Sequence, residues 1–214
     1  MSNRAVFVDR DGTLVEARHY PSRPEDLVLY HGICDELRRV QEHGFLLVLI
    51  TNQSGIARGY FTEHDLTCMH DDLCERLQRN GVTIDAIYFC PHHVDGVIED
   101  LAIECDCRKP KPGMLLRAAS DLDIDLSRSW FVGDILDDIE AGKCAGCKTV
   151  LVDLGTESLP QSAMRWPDVV ARDAVHAMQI IQSSEGIGCS VADDYLPPDW
   201  QRVETQTGVA HADD

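Results

Sequence analysis

Positively charged side chains are scarce in this sequence. The 19 Lys and Arg residues stand against 37 Asp and Glu residues, which gives a formal net charge of -18 at pH 7, and the basic residues form no long run. A surface this acidic repels nucleic-acid backbones and anionic lipids. We therefore expect neither nucleic acid nor a membrane as a partner, and an anionic ligand would need a site that supplies its own positive charge.

Long apolar segments are missing as well. The longest apolar run, Phe45 to Ile50, is far too short to cross a bilayer, and no secretory signal pattern opens the chain. We therefore expect a cytoplasmic protein whose nine cysteines remain thiols, some of them buried and some binding a metal. No apolar stripe marks an interface between subunits, so a monomer is the default expectation.

Short apolar runs alternate with segments of helical periodicity, in a chain of 214 residues that suffices for one well-buried domain. Runs that are apolar on both faces are typical of parallel strands inside a sheet, and their alternation with helices predicts an α/β fold with a doubly wound, mostly parallel sheet. The predicted strands are 5–9, 45–51, 84–90, 130–133 and 149–152, with an edge strand at 168–171. The predicted helices are one that contains Ile33, Leu37 and Val40 and stops at Gly44, followed by 62–80, 114–122, 136–144 and 174–182.

The last part of the chain differs in character from the rest. Beyond Ser183 the sequence has no sustained period and contains a Pro-Pro pair. We therefore expect one domain at residues 1–183 and a tail at residues 184–214, either mobile or laid over the surface.

Carboxylates and other polar side chains follow three of the predicted strands. Since ligands bind outside the carboxyl ends of the strands in a doubly wound sheet, these side chains converge on one rim. Carboxylates this close raise one another's pKa unless a cation binds, and oxygen ligands without histidine suit Mg²⁺, which usually also binds substrate phosphate. The side chains are Asp9 and Asp11 after the first strand, Thr51, Asn52, Gln53 and Ser54 after the second, and Asp134, Asp137 and Asp138 after the strand 130–133.

The pair Asp9 and Asp11 suits phosphoryl transfer. Asp9 sits where a carboxylate could attack phosphorus, and Asp11 could protonate the leaving oxygen and later deprotonate water. Arg108 and Lys109, with Lys111 as a weaker candidate, offer positive charge for the phosphoryl oxygens. Together these groups predict a phosphate-processing site.

Each of these features also has a plainer structural interpretation. The Asp-Gly-Thr at 11–13 is commonly a turn, and Asp137 and Asp138 would favour the dipole in the first turn of a helix. Several such features in order, each at the end of a strand, favour the functional interpretation over the structural one.

A second cluster of candidate ligands lies between residues 90 and 107. In extended chain, residues two apart face the same side, and three thiolates with one histidine form a closed tetrahedral zinc set. The candidate ligands are Cys90, His92, Cys105 and Cys107. A structural zinc there would orient the neighbouring Arg108 and Lys109, while the alternative is reduced surface thiols beside a solvated histidine. We expect His93 to point away from this set, and Cys144 and Cys147 to be packing residues.

Four short motifs resemble those of a known enzyme family. DRDGT, TNQSG, RKPKP and GDILDD occur in this order and resemble the signature motifs of haloacid-dehalogenase-type (HAD) phosphatases over about residues 5–155. The resemblance implies that Asp9 forms an aspartyl-phosphate and that Asp11 is the general acid and base. It further implies that Thr51 and Lys109 stabilise the phosphoryl group, and that Mg²⁺ is held by Asp9, Asp134 and a backbone oxygen of Asp11.

Within this family, the chain is more similar to D-glycero-D-manno-heptose 1,7-bisphosphate 7-phosphatases than to histidinol-phosphate phosphatases. TNQSGIARGYFTE, CPHH and CDCRKPKPGM carry that similarity, and the loop between the zinc pairs is longer than is typical of the histidinol-phosphate group. The resemblance implies a small phosphorylated sugar as substrate, a heptose that loses its C7 phosphate, and no large cap domain over the site. The residues expected to select the substrate are Ala17, Arg18, His19, Tyr20, Asn52, Gln53, Ser54 and Arg108.

Two features depart from the pattern of this subgroup. The segment Ala17 to Tyr20 stands where an acidic, glycine-containing turn is usual, and Ile135 follows Asp134 where a lysine is common. Both changes could alter the choice of substrate. Two alternatives stay open from the sequence: a phosphatase for histidinol phosphate or another small phosphomonoester, and a zinc-stabilised binding module without catalytic activity.

Overall fold

Six parallel strands form the central sheet of the computed structural model, which describes residues 2–188 together with Tyr195 and Trp200. Their spatial order is β3-β2-β1-β4-β5-β6, and every neighbouring pair is parallel. Since the chain reverses its direction of winding between β1 and β4, the sheet is doubly wound, as predicted. The strands are β1 Arg4–Val8, β2 Phe45–Asn52, β3 Ala86–Cys90, β4 Trp130–Gly133, β5 Lys148–Val152 and β6 Val169–Ala171.

Five helices in the described part of the chain cover the two faces of this sheet. The first, second and fifth pack against one face, around Val6, Val8, Leu47 and Leu49, while the third packs against the other face, around Phe7. The helices are α1 Ile33–Glu42, α2 Glu63–Arg79, α3 Gly113–Leu122, α4 Leu136–Ala145 and α5 Ala174–Ser184. No large cap domain occurs within residues 2–188, because the connections at the carboxyl edge contain only short 3₁₀ turns.

The bounds of the predicted elements agree with the structure to within two residues, for local reasons that the sequence carries. Thr62 caps α2 by accepting a hydrogen bond from the Asp65 backbone N–H at 3.1 Å. The strand β3 begins two residues later than predicted. Directly before β3, the Asp85 carboxylate accepts a hydrogen bond from the Leu47 N–H at 2.8 Å. This bond takes the place of a backbone bond between β3 and β2.

Most of the described part of the predicted tail lies against the domain: Ser184 ends α5, Ile187 is buried in the core, and Glu185 accepts a hydrogen bond from Trp130 Nε1 at 2.9 Å. Trp200 is buried in a cluster with Leu151 and Val170, and the Tyr195 hydroxyl donates to Asp153 Oδ2 at 2.7 Å. The other residues of the predicted tail from 189 onward lie outside the part of the chain that the structure describes. None of the described helices is long and apolar enough to span a membrane.

Candidate active site

Three buried carboxylates meet at the point where the sheet reverses its winding. Asp9 directly follows β1, Asp134 directly follows β4, and Asp138 lies in the first turn of α4. One carboxylate oxygen of each lies within 4.8 Å of the others, and the exposed fraction of these residues is 8% or less. The backbone N–H of Asp9 donates to Val132 O at 2.9 Å, which holds the end of β1 beside the end of β4.

Lys109 is the cation of this group. Its Nζ lies 2.5 Å from Asp9 Oδ1 and 2.6 Å from Asp138 Oδ1, and it donates to the Ile50 carbonyl at 3.1 Å. The side chain of Lys109 is almost fully buried, so the ammonium has no bulk water to screen it. The structure therefore brings the predicted Lys109 directly onto the predicted Asp9.

Asp138 belongs to this group, whereas the sequence places Asp137 and Asp138 at the rim together without distinguishing them. The carboxylate of its neighbour Asp137 instead pairs with Arg165 outside the group. No local signal in GDILDD distinguishes Asp138 from Asp137, because the packing of α4 against the sheet decides which of the two carboxylates is buried.

Two glycines allow the carboxylates to come this close. Gly12 has a φ of +92°, and a Cβ there would overlap the carboxylate of Asp134. A Cβ on Gly133 would overlap the side chain of Asp138. The glycine of DRDGT and the glycine of GDILDD are thus required by close packing at the site.

The site carries more negative charge than its one lysine neutralises. Burial raises the pKa of Asp9 to about 7, with the carboxylates of Asp138 and Asp11 adding to the effect and Lys109 opposing it. Burial likewise raises the pKa of Asp134 to about 8, reinforced by Asp9 and Asp138. Burial alone would lower the pKa of Lys109, but the carboxylates of Asp138 and Asp9 outweigh it and raise that pKa. A divalent cation fits this excess of buried oxygen ligands.

Asp11 lies at the exposed side of the same site. Its side chain is 24% exposed and is held by Arg10, whose Nη2 donates to Oδ2 at 2.8 Å, and by Gln53, whose Nε2 donates to Oδ2 at 3.0 Å. The carboxylate of Asp11 is not part of the group formed by the other three aspartates. The predicted role of its backbone oxygen as a Mg²⁺ ligand remains a prediction.

The polar residues at the end of β2 and directly after it lie at the rim, and each has its own hydrogen-bond partner. Gln53 Nε2 donates to the buried Thr51 Oγ1 at 2.8 Å. Asn52 pairs with the backbone of Lys109, donating to its carbonyl and accepting from its N–H, each at 3.1 Å. The side chain of Asn52 therefore holds the segment that carries Lys109.

A cleft of about 230 Å³ borders the site beside Asp11. Tyr20 stands between two other rings, with its centroid 4.5 Å from that of His19 and 4.7 Å from that of Tyr60. Ala17 is the one predicted residue of its segment that is not part of this lining. The lining residues are Asp11, Arg18, His19, Tyr20, Pro21, Asn52, Gln53, Ser54 and Gly55.

A second cleft, of about 290 Å³, borders the site beside Lys109. Arg108 and Lys111 contribute further positive charge to its wall, and Ile103 and Val94 contribute apolar surface. Arg108 donates to the His92 carbonyl at 3.4 Å, so its guanidinium is tied to the neighbouring cysteine-containing loop.

The four predicted zinc ligands do come together. Cys107 Sγ lies 3.2 Å from Cys90 Sγ, 3.3 Å from Cys105 Sγ and 3.3 Å from His92 Nδ1, and Cys90 and Cys105 are 3.5 Å apart. These separations are close to the edges of roughly 3.8 Å in a tetrahedron with Zn–S bonds of about 2.3 Å. The set can therefore hold one metal ion, and zinc suits its donor atoms.

His93 lies outside this set, as expected. Its ring nitrogens lie 3.0 and 3.2 Å from Nη2 of Arg58. Cys147 is buried against the core, whereas Cys144 is exposed and does not pack as the sequence predicts. Burial raises the pKa of the Cys147 thiol to about 12, so it remains protonated at neutral pH.

Comparison with known proteins places this site in a family. A family model described as "HAD-hyrolase-like" matches residues 106–177. The D-glycero-beta-D-manno-heptose-1,7-bisphosphate 7-phosphatase of Yersinia pestis is 45% identical over 152 residues, which cover 71% of this chain and 81% of that protein. The enzyme of the same name from Escherichia coli (strain K12) is 42% identical over 159 residues, covering 74% and 83%. The chain belongs to this family of HAD-like phosphatases.

A solved structure supports the same assignment at the level of the fold. The D,D-heptose 1,7-bisphosphate phosphatase from B. bronchiseptica, complexed with magnesium and phosphate, has a TM-score of 0.72 and 31% sequence identity. The match covers 85% of this chain and 99% of that one. As a HAD-like phosphatase, the chain is a phosphoric monoester hydrolase, and the predicted resemblance is confirmed.

Proposed function

We propose that this protein removes the C7 phosphate of D-glycero-D-manno-heptose 1,7-bisphosphate in a Mg²⁺-dependent reaction. The observation that carries the proposal is the contact of the buried Asp9 with Lys109 at the carboxyl edge of the sheet, in a chain 42–46% identical to phosphatases named for that substrate. A carboxylate nucleophile needs a cation beside it to receive a phosphoryl group, and this pair supplies both.

Asp9 is the proposed nucleophile. Its carboxylate oxygen attacks phosphorus, the bond from phosphorus to the C7 oxygen breaks, and an aspartyl-phosphate forms. Lys109 lies 2.5 Å from Asp9 Oδ1, which places its ammonium where it can neutralise the phosphoryl oxygens. The hydroxyl of Thr51, near the same rim, adds a donor to those oxygens.

Asp11 is the proposed general acid and base. Its partly exposed carboxyl group can give a proton to the departing C7 oxygen, and the resulting carboxylate can take a proton from the water that later attacks phosphorus. The second attack breaks the bond between phosphorus and Asp9, which releases inorganic phosphate and restores the enzyme.

Mg²⁺ would be held by Asp9, Asp134 and the backbone oxygen of Asp11, with Asp138 close enough to orient the group. The fit rests on the three buried carboxylates of Asp9, Asp134 and Asp138, whose oxygens lie within 4.8 Å of one another, and the raised pKa values of Asp9 and Asp134 agree with it. When bound, the ion neutralises charge on the carboxylates and on substrate phosphate.

A structural zinc ion is the proposed occupant of the set Cys90, His92, Cys105 and Cys107. Three sulfur ligands and one nitrogen, all within 4.8 Å of one another, suit a closed zinc site. The segment that follows carries Arg108 and Lys109, so the ion would fix the chain that delivers the cationic groups. We expect one zinc per chain.

The two clefts are the proposed places for the rest of the substrate. A sugar with two phosphates needs cationic groups beyond Lys109, and Arg108 offers a planar fork for the sugar or the distal phosphate. The segment of Ala17, Arg18, His19 and Tyr20 and the residues Asn52, Gln53 and Ser54 are proposed to contact the substrate from the opposite cleft.

The test is phosphate release with Mg²⁺ from both anomers of heptose 1,7-bisphosphate, histidinol phosphate and common sugar phosphates. We expect a strong preference in kcat/KM for a heptose bisphosphate, and activity lost in Asp9→Asn but kept in Asp71→Asn, whose side chain lies on the exposed face of α2. A preference for histidinol phosphate would contradict the substrate assignment and leave the reaction type intact. Full turnover by Asp9→Asn would refute the nucleophile.

A further inference from the structure

Arg10, between the two aspartates of DRDGT, is a completely buried guanidinium. Its Nε donates to both oxygens of Asp11 at 3.1 Å, and its Nη2 donates to Asp11 Oδ2 at 2.8 Å and to Gln53 Oε1 at 3.0 Å. Its Nη1 lies 3.2 Å from Nε2 of His70. Every nitrogen of the guanidinium thus has a partner within hydrogen-bonding distance.

Burying a charged arginine side chain lowers the stability of a fold, so its position here calls for an explanation. The loss of hydration of a buried charge is compensated only when its partners satisfy its hydrogen-bond donors, and an exposed arginine could also supply positive charge beside Asp11. What the buried fork adds is rigidity, because a planar guanidinium with several fixed acceptors holds a carboxylate in one orientation.

His70 connects this fork to the protein core. It lies on α2 between residues that pack into the core, including Met69 and Leu73, and is itself 7% exposed. Burial, with the positive charge of Arg10 adding to it, lowers the pKa of His70 to about 3. The ring is therefore neutral at physiological pH and accepts the Arg10 hydrogen bond at Nε2.

The two oxygens of Asp11 are held unequally. Oδ2 accepts from Arg10 Nε, from Arg10 Nη2 and from Gln53 Nε2, whereas Oδ1 accepts from Arg10 Nε alone. Since a carboxylate oxygen has about two lone-pair directions, Oδ2 is fully used and Oδ1 keeps room for a proton.

We propose that Arg10, braced by His70, is a positioning residue that fixes the Asp11 carboxyl group for proton transfer, with Oδ2 as the anchored oxygen and Oδ1 as the oxygen that carries the proton. The inference rests on the proposed role of Asp11 as general acid and base. In the first step the proton leaves Asp11 Oδ1 for the departing oxygen as its bond to phosphorus breaks. In the second step the same oxygen takes a proton from the attacking water.

The readout is the dependence of the first step on the leaving group. A departing alkoxide needs a proton from the general acid, whereas 4-nitrophenolate leaves without one. Single-turnover release of the alcohol or phenol, with Mg²⁺ and zinc bound, therefore reports how well Asp11 delivers its proton. The substrates are a sugar phosphate that the enzyme turns over and 4-nitrophenyl phosphate.

Three variants test the contact between His70 and Arg10. His70→Leu removes the acceptor of Arg10 Nη1, while His70→Gln places an amide oxygen in a similar position and serves as the conservative rescue. Met69→Ala disturbs the packing of the same helix without touching Arg10 and is the control for loss of stability. The melting temperature of each variant is recorded beside its kinetics.

In His70→Leu and in Arg10→Lys, we expect release from the sugar phosphate to slow by about tenfold or more, as expected for a misplaced catalytic group. Release from 4-nitrophenyl phosphate should slow by less than about threefold, and KM should change little. His70→Gln should recover most of the rate, and Met69→Ala should slow both substrates equally or neither. Equal slowing of both substrates in His70→Leu would overturn the inference.

Asp11→Asn separates the inference from the proposed function. If this variant shows no selective loss with the sugar phosphate, Asp11 is not the general acid and the proposed mechanism fails. If Asp11→Asn shows the selective loss but His70→Leu and Arg10→Lys do not, the mechanism stands and the positioning role of Arg10 is wrong.

Discussion

At the scale of single residues, the candidate site is decided by which charges the fold buries together. Asp9, Asp134 and Asp138 are each nearly inaccessible to water, and Lys109 is the cation that contacts two of them. Because buried charges interact far more strongly than exposed ones, exchanging one member for a neutral side chain affects both folding and chemistry.

The first prediction concerns the two neighbouring aspartates of α4. We expect Asp138→Asn to lower kcat at least about a hundredfold, because Lys109 loses one of its two carboxylate partners and the charge of the site changes. Asp137→Asn is the matched control, since this carboxylate pairs with Arg165. Because Asp137 also lines the cleft beside Lys109, its exchange can change KM, but it should lower kcat less than about threefold. Steady-state phosphate release measures both. Similar effects of the two variants would favour a shared helix-dipole role and contradict the assignment of Asp138.

The second prediction concerns Lys109. Lys109→Met keeps an unbranched side chain that is one atom shorter but leaves the carboxylates of Asp9 and Asp138 without their cation. We expect kcat to fall at least about a hundredfold and the metal-free protein to lose roughly 3–5 kcal/mol of stability at pH 8. Denaturant unfolding with and without Mg²⁺ and phosphate release measure the two effects. Wild-type stability and turnover in this variant would contradict the account of the site.

At the scale of elements, the sequence predicts the strands, the helices and the rim where the site lies, because apolar runs and helical periods are local patterns. Asp9 and Asp134 could be predicted for the same reason, as each directly follows a strand. Asp138 could not be separated from Asp137, since only the packing of α4 against the sheet decides which carboxylate is buried. The role of Arg10 escaped for a similar reason: its partner His70 is 60 positions away on α2.

The third prediction concerns the connection between β3 and α3, which carries the proposed zinc ligands. We expect one zinc per chain in the wild-type protein by metal analysis, and a loss of that zinc in Cys105→Ser together with a melting temperature lower by several degrees. Cys68→Ser, which changes an exposed thiol on α2, is the control and should keep both. Unchanged zinc content in Cys105→Ser would reject the ligand set.

At the scale of the whole molecule, the site holds more buried negative charge than Lys109 neutralises, and the proposed Mg²⁺ would compensate for that charge. Both Asp9 and Asp134 have pKa values raised above their usual range, to about 7 and about 8, in the metal-free protein. A fold that holds two carboxylic acids in this state binds more protons than its unfolded chain between about pH 4 and 8. We therefore expect the free energy of unfolding to depend on pH, and to do so less when Mg²⁺ is bound.

The fourth prediction concerns the change of stability with pH that these raised pKa values cause. The stabilising contribution of each raised carboxylate is fully present below the unfolded pKa, near 4, and is lost as the pH rises through the folded value. Without Mg²⁺, the wild-type protein should therefore lose stability relative to the double variant Asp9→Asn/Asp134→Asn between pH 5 and 8, at up to about 1.4 kcal/mol per pH unit for each group. Thermal unfolding of both proteins across this range measures it. A stability difference that stays constant across this range, or that changes in favour of the wild type, would show that the pKa values of the two carboxylates are not raised.

The covalent intermediate tests the central claim most directly. Wild-type protein is mixed with Mg²⁺ and heptose 1,7-bisphosphate, quenched within one turnover and reduced with borohydride, which converts an aspartyl-phosphate to homoserine. Peptide mass spectrometry then locates the change. We predict homoserine at position 9 alone, and none in samples without substrate. Homoserine at another aspartate, or phosphate release with no reducible intermediate at any time, would contradict the assignment of Asp9 as the group that attacks phosphorus.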